Sequence, residues 1–277
     1  MKRLLVIAAS ALLVAAACTA DDGGRIDHPT GPSDLVLRID IGGGLMGPGW
    51  ALTHLPIFSL FGDGRIVTEG PQIEIYPGPA LPNLQQTRIS EAGIQRILEA
   101  ARDAGLLGPD AHYDWPGIMD APTTTFTVVA GGARHVVSAY ALFEGSGGND
   151  ARAALRAIYE QLTDFRSWLG AQVVGPDAAY VYDALRITVR PADPSGAPDP
   201  GMVNIRDWPL AVPLAAFGTP AAADDVRCGV LSGGDLDGAM ADLASSNQLT
   251  YWRSGGATYQ LGLRPLLPDE SGCGENF

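Results

Sequence analysis

The chain has very little lysine, histidine or cysteine. Lys2 is the only lysine, and 18 basic residues stand against 31 acidic ones, which gives a formal net charge of −13 at pH 7. Nucleic acids and anionic lipid surfaces attract proteins through basic patches, so this composition argues against both as charge-driven partners. The four histidines show no H-x-x-x-H or H-E-x-x-H spacing, which is the local signature of many zinc sites. The sequence therefore predicts no nucleic-acid partner and no cofactor.

A hydrophobic run long enough to span a membrane is also lacking. The apolar stretch 4–17 has 14 residues, whereas a spanning helix needs about 20. It follows a positively charged start and ends in three alanines before Cys18, and it resembles a bacterial lipoprotein signal peptide. The resemblance implies cleavage before Cys18, lipid attachment to that residue, and anchoring on the extracytoplasmic face of the cell membrane. A plain secretory signal stays open as the alternative, because Ala15 stands where this signal usually has leucine.

The cysteine count supports the lipid reading. If Cys18 carries lipid, Cys228 and Cys273 remain as an even pair in an oxidising compartment. We predict that these two form a structural disulfide, because they lack the C-x-x-C spacing of redox and metal pairs. On the chain-entropy model such a bond contributes about 4 kcal/mol to the stability of the fold.

Composition and texture divide the chain into four predicted parts. They are a signal peptide at 1–17, a lipidated flexible tether at 18–33, an α+β domain at 34–170, and a smaller α+β subdomain at 178–277 closed by the disulfide. The 35 glycines and 21 prolines indicate many turns, and a hydrophobic fraction of 46% is ample for a core. Whether the two halves share one continuous core is left open.

Periodicity and turn residues predict an α+β fold, with antiparallel hairpins packed against two or three helices and joined by long loops. Hairpins are expected to turn at the glycine-containing segments 62–64, 131–132 and 255–256. Further strands are predicted at 34–41, 180–190 and 226–231, with a weaker one at 72–76. Helices are predicted from Ser90 to Gly105, over 150–169 and over 236–244.

Residues 55–168 carry a series of short motifs. These are P-x-F-x-L-x-G-D-G at 56–64, I-S at 89–90, D-A-P-T-T at 120–124, and a helix closing on Trp168. In this order they resemble an uncharacterised bacterial domain family found in exported proteins, for which no activity is established. The resemblance implies a compact sheet-plus-helix domain. It carries over no catalytic residues.

One acidic loop suggests a metal site. Asp110, His112 and Asp114 lie close together in sequence, with Asp120 nearby, and carboxylates with an imidazole can hold a divalent cation. The alternative is a solvated acidic loop in which Asp120 caps a turn.

Tryptophans in turn-rich segments suggest a second kind of site. Trp115, Trp208 and Trp252 are possible platforms for a sugar or a peptide, because aromatic side chains in loops often contact ligands. The alternative is that they plug the core beneath long loops, since most tryptophans are largely buried.

No catalytic set can be assembled from the sequence. We therefore expect a lipid-anchored cell-envelope protein that binds an unidentified ligand, protein or glycan without catalysis, and whether it is an enzyme is left uncertain. Two alternatives stay open. One is a structural or assembly factor of the envelope, and the other is a metal-dependent extracytoplasmic hydrolase built on the acidic loop.

Overall fold

The computed structural model describes residues 24–45, 50–144, 150–221 and 225–274. Within them lie two mixed β-sheets with helices, so the predicted α+β fold is confirmed. Cys18 and the predicted signal peptide fall outside the described residues. Among the helices that are described, none combines the length and apolar character needed to cross a membrane.

The first sheet has eight strands in the order β5-β7-β6-β1-β2-β3-β4-β8. Its strands are β1 Leu35–Gly42, β2 Phe58–Phe61, β3 Arg65–Glu69, β4 Leu84–Ile89, β5 Ala111–Tyr113, β6 Thr123–Ala130, β7 Ala133–Tyr140 and β8 Val173–Ala179. All neighbours pair antiparallel except β5 with β7. The β6–β7 turn falls on Gly131 and Gly132, both with positive φ, as the hairpin prediction requires.

Helices cover this sheet and bury an apolar stripe against it. They are α2 Glu91–Asp103, α3 Asp150–Thr163 and α4 Phe165–Leu169. The Ser90 hydroxyl caps α2 by accepting the Gly93 N–H, as the sequence predicts. The helix predicted over 150–169 is interrupted at Asp164, where φ is −110° and ψ is 37°. The predicted stripe nevertheless stays buried in one core with strands β1, β2 and β6.

The second sheet has six strands in the order β10-β13-β14-β9-β12-β11. They are β9 Ala184–Pro191, β10 Asn204–Asp207, β11 Thr219–Pro220, β12 Arg227–Ser232, β13 Thr250–Ser254 and β14 Ala257–Pro265. Only β10 and β13 pair in parallel. One face packs on helix α5 Gly233–Ala244 through a core of its own.

Three boundaries differ from the sequence predictions. The strand expected at 180–190 begins at Ala184, and the preceding β8 instead extends the first sheet. Residues 72–76 form no strand and are exposed. Residues 24–33 lie against the first sheet and α2, with Ile26 N–H donating to Gln95 and Asp27 C=O accepting from Gly131. The prediction of a flexible tether is therefore wrong for these ten residues.

The two halves meet in a shared apolar cluster. Phe61, Val67 and Leu84 from the first sheet pack with Tyr180 and Leu267 from the chain beyond it. The Tyr180 hydroxyl also donates to the carbonyl of Leu266 at 3.0 Å. Burial raises the pKa of Tyr180 to about 12, so the hydroxyl stays a donor at neutral pH. The halves are thus packed against each other, with a further core on each side.

The C-terminal segment, residues 266–274, fastens this junction. Glu270 accepts two hydrogen bonds from the Arg264 guanidinium at 2.6 and 2.7 Å, and the same guanidinium donates to the carbonyl of His54 in the first half. Arg38 of β1 pairs with Asp269 at 2.8 Å. The predicted disulfide is confirmed, with the Cα atoms of Cys228 and Cys273 6.0 Å apart. The segment is therefore bonded to both sheets.

Glu270 is held in its charged form by these contacts. Burial by itself would raise the pKa of Glu270, but the hydrogen bonds and charge of Arg264 outweigh burial, with help from the Leu267 N–H and the charge of Arg38. The pKa of Glu270 consequently lies below its ordinary value of 4.5. Its ion pair with Arg264 is nearly enclosed, with 6% of the Arg264 side chain and 15% of the Glu270 side chain exposed.

We predict that Glu270→Gln lowers the free energy of unfolding by about 3 kcal/mol, because it leaves the Arg264 charge enclosed without its partner. Denaturant unfolding of the full-length protein measures the change. Glu99→Gln serves as the control, since Glu99 is exposed on α2 and should change stability by less than about 0.5 kcal/mol. Equal effects of the two variants would contradict the prediction.

The depressed pKa of Glu270 also predicts a pH dependence. A carboxyl group with a lowered folded pKa contributes stability in full above its unfolded pKa, and that contribution disappears as pH falls through the folded value. The stability difference between the wild type and Glu270→Gln should therefore be constant near neutrality and shrink as pH drops below about 4.5. Urea unfolding of both proteins across this range measures it, and a difference that persists in acid would be inconsistent with the ion pair.

Candidate functional site: a cleft between the two sheets

A cleft runs along the junction of the two halves. It consists of two adjoining cavities of about 330 and 360 Å³. Both are lined by the same five residues, Thr53, Pro79, Ala80, Gln248 and Leu263. Cavities of this size at the meeting of two structural units are the usual place for small ligands.

Backbone hydrogen bonds between the halves build the cleft. The loop between β3 and β4 reaches the connection between α5 and β13, where Gly78 C=O accepts from Gln248 N–H at 2.9 Å and Ala80 N–H donates to Ser246 C=O at 3.1 Å. Helix α1 Trp50–Thr53 packs on β14 at Gly262. A Cβ on Gly262 would lie 2.7 Å from the methyl of Thr53 and closer still to the Thr188 hydroxyl, so only glycine fits here.

Strand alternation gives the cleft a polar wall. In β9, Ile187 and Val189 point to the core beneath α5, so Thr188 and Arg190 face the other way, toward the cleft. Their neighbours across β14 are Gly262 and Gln260. The Thr188 side chain is 7% exposed, and its hydroxyl makes no hydrogen bond to any described residue. Thr188 is therefore an enclosed polar group that opens only onto the cleft.

Arg190 is the one cation of this wall, and it is half-buried. Among the described residues, every arginine side chain except Arg134 and Arg190 has a hydrogen bond, an ion pair or an aromatic ring contact. Arg134 is exposed on the β6–β7 hairpin. Arg190 thus presents a guanidinium without a counter-ion among the described residues, in a chain of net charge −13.

The second cavity has a different character. Glu69, at the end of β3, lines it together with Gln72, Ile73 and Ile75. Ile73 and Ile75 are 69% and 56% exposed, which is high for large apolar side chains. Glu69 is exposed and pairs with no basic side chain of the described residues. The cleft therefore carries a positive group at one end and a negative group with apolar neighbours at the other.

The structure contradicts the predicted metal site. Asp110 accepts the Val136 N–H at 2.8 Å, and the ring nitrogens of His112 pair with Ser138 at 2.8 Å and with Asp114 at 2.9 Å. His112 and Asp114 thus contact each other, whereas Asp110 is bonded to the backbone of β7. Nowhere in the described ranges do three histidine, cysteine or acidic side chains converge as a metal ion requires.

The chain Ser138–His112–Asp114 has the connectivity of a catalytic triad, and Ser138 was not expected there. A working triad needs an orienting carboxylate sheltered from water and donors for an oxyanion. The Asp114 side chain is 82% exposed and that of His112 50% exposed, so water competes for both. We interpret the three residues as a surface hydrogen-bond chain that joins β5 to β7.

The predicted tryptophan platforms are wrong for two of three residues. Trp252 and Trp208 are 1% and 8% exposed, and their rings meet edge to face at 5.8 Å in the core of the second sheet. The Trp208 ring N–H donates to Val212 C=O. Trp115 is half-buried beneath the guanidinium of Arg152, 4.9 Å from its ring, and away from the cleft lining.

Sequence reasoning missed Arg190 and Thr188, although a signal was present. In the segment 184–191 polar residues alternate with leucine, isoleucine and valine, which places Arg186, Thr188 and Arg190 on one face of a buried strand. Burying polar side chains on such a face is unfavourable unless they can form hydrogen bonds, and a cleft that admits water or a ligand allows this.

No protein-family model matches this chain, and no curated protein matches it either. The fold and the cleft described above are thus the basis for proposing a function.

Proposed function

We propose that this is a lipid-anchored cell-envelope protein whose folded part binds a small anionic ligand in the cleft, without converting it. The observation that carries the proposal is Arg190, a half-buried guanidinium that faces a cavity of about 330 Å³ and has no counter-ion among the described residues. A cation in such a setting is stabilised by an anion, and the part of the chain that the structure describes pairs none with it.

The neighbours of Arg190 suit recognition of an acid group. A guanidinium can donate two parallel hydrogen bonds to a carboxylate or a phosphate. Thr188 adds a hydroxyl and Gln260 an amide on the same wall. Beside apolar residues, the lining includes amides, hydroxyls, a guanidinium in the first cavity and a carboxylate in the second, groups that hold a ligand through hydrogen bonds and charge.

The anchoring part of the proposal rests on the N-terminal sequence and on the disulfide. Cys228 and Cys273 are bonded to each other, which fits an oxidising compartment and leaves Cys18 as the odd cysteine. Cys18 follows a charged start, a short apolar run and three alanines, the pattern of a lipoprotein signal. Lipid on Cys18 would place the cleft at the membrane surface.

We predict that Arg190→Gln weakens anion binding by roughly tenfold or more, because it removes a charged hydrogen-bond donor. Sodium acetate and inorganic phosphate are the probes, added to the full-length protein in detergent at an ionic strength matched with sodium chloride. The readout is the rise in thermal unfolding midpoint, which follows occupancy of the folded state.

Arg134→Gln is the matched control, because Arg134 also lacks a counter-ion among the described residues but is exposed and remote from the cleft lining. It should bind both anions as the wild type does. Equal losses in the two variants, or a wild-type midpoint that rises no more with the probes than with sodium chloride, would contradict the proposed site.

We predict that Cys18→Ala abolishes incorporation of a labelled fatty acid and releases the protein from the membrane fraction, since the thiol that carries the lipid is lost. Thr19→Ala, which changes the adjacent residue, should keep both the label and the membrane association. Cell fractionation with metabolic labelling distinguishes the two. A Cys18→Ala protein that remains in the membrane fraction would speak against lipid anchoring.

A further inference from the structure

We infer that the ligand of the cleft is a short free peptide, held by its carboxylate at Arg190 and by its amino group at Glu69. The inference rests on the proposed function and specifies the ligand of the same site. It depends on the opposite charges in the two cavities and on the amide groups among the residues that line them.

The two charged side chains mark different cavities. Arg190 lines only the first and Glu69 only the second, and the five shared lining residues lie between them. A ligand that contacts both charged groups must therefore extend past the five shared residues. An extended peptide of about three residues, roughly 10 Å long, can lie along both cavities in this way.

The lining between the ends matches a peptide backbone. Gln72 and Gln260 each offer an amide that can both donate and accept, as the N–H and C=O groups of a peptide require. The oxygen of Gln248 accepts from the Gly78 N–H at 3.3 Å, and its amide nitrogen can donate as well. The exposed Ile73 and Ile75 provide apolar surface for side chains. Alternating polar and apolar contacts are the pattern by which extended peptides are recognised.

Other anionic ligands fit less well. A fatty acid would satisfy Arg190, but its chain would leave the amides of Gln72 and Gln260 and the carboxylate of Glu69 without hydrogen-bond partners as it covered them. A dicarboxylate or a sugar phosphate that reached the second cavity would bring negative charge toward Glu69. A zwitterionic peptide alone among these classes places an opposite charge at each end.

The test uses trialanine, its C-terminal amide and its N-acetyl form as probes, titrated into the full-length protein by calorimetry. We expect trialanine to bind at least tenfold more tightly than acetate. Amidation should cost roughly tenfold, and the same loss should appear in Arg190→Gln, in which amidation should then have no further effect. This cycle assigns the carboxylate to Arg190.

The amino end is tested in the same way. N-acetylation should weaken binding by roughly fivefold to tenfold in the wild type and have little effect in Glu69→Gln. Glu74→Gln is the matched control, because Glu74 is an exposed acid between Ile73 and Ile75 that does not line the second cavity. An unchanged thermal unfolding midpoint without ligand verifies that each variant is folded.

The outcomes separate this inference from the proposed function. If trialanine binds no more tightly than acetate while Arg190→Gln still removes acetate binding, the peptide inference is overturned and the anion site stands. If the acetylated and free forms bind equally and Glu69→Gln is neutral, the ligand is the C-terminal tail of a protein, and a free peptide is wrong. If neither acetate nor trialanine binds, both proposals fall.

Discussion

The ion pair between Arg264 and Glu270 is the contact on which the arrangement of the two sheets depends. Arg264 belongs to β14, Glu270 to the C-terminal segment, and the same guanidinium reaches the His54 carbonyl at the end of α1. A second ion pair joins Arg38 of β1 to Asp269, the residue before Glu270. With the disulfide, these bonds hold the β14 face against α1 and the β3–β4 loop. The cleft lies between these elements, and Arg190 of β9 lines its first cavity.

Much of the fold was predictable because local rules and tertiary packing agree. Glycine turns, the Ser90 cap and the apolar stripe of 150–169 appear as expected. Strand β8 was missed because it is an exposed edge strand containing glycine and proline, with no buried face to give it a period of two. The tether was misjudged over 24–33 because its contacts, such as Ile26 N–H with Gln95 and Asp27 C=O with Gly131, join it to residues distant in sequence and leave no pattern in composition.

The functional residues were less predictable than the fold. Tryptophans and an acidic loop attract attention in sequence, yet Trp208 and Trp252 fill a core, and Asp110 and Asp114 serve local hydrogen bonds. The cleft is lined instead by ordinary residues from distant parts of the chain, such as Glu69, Thr188 and Gln248. Their proximity follows from the docking of two sheets. Arg190 is distinguished by the fact that almost every other arginine of the described residues is paired, and pairing can be seen only in the folded chain.

The most direct test of the central claim observes the Arg190 side chain itself. In a ¹⁵N-labelled protein, the Nε–H resonance of Arg190 can be assigned by its absence in Arg190→Gln. Our account predicts that this resonance shifts and saturates as trialanine is added, while that of Arg134 does not move. A titration in which the Arg190 signal stays in place, or in which both signals drift together with ionic strength, would contradict an anion-binding cleft.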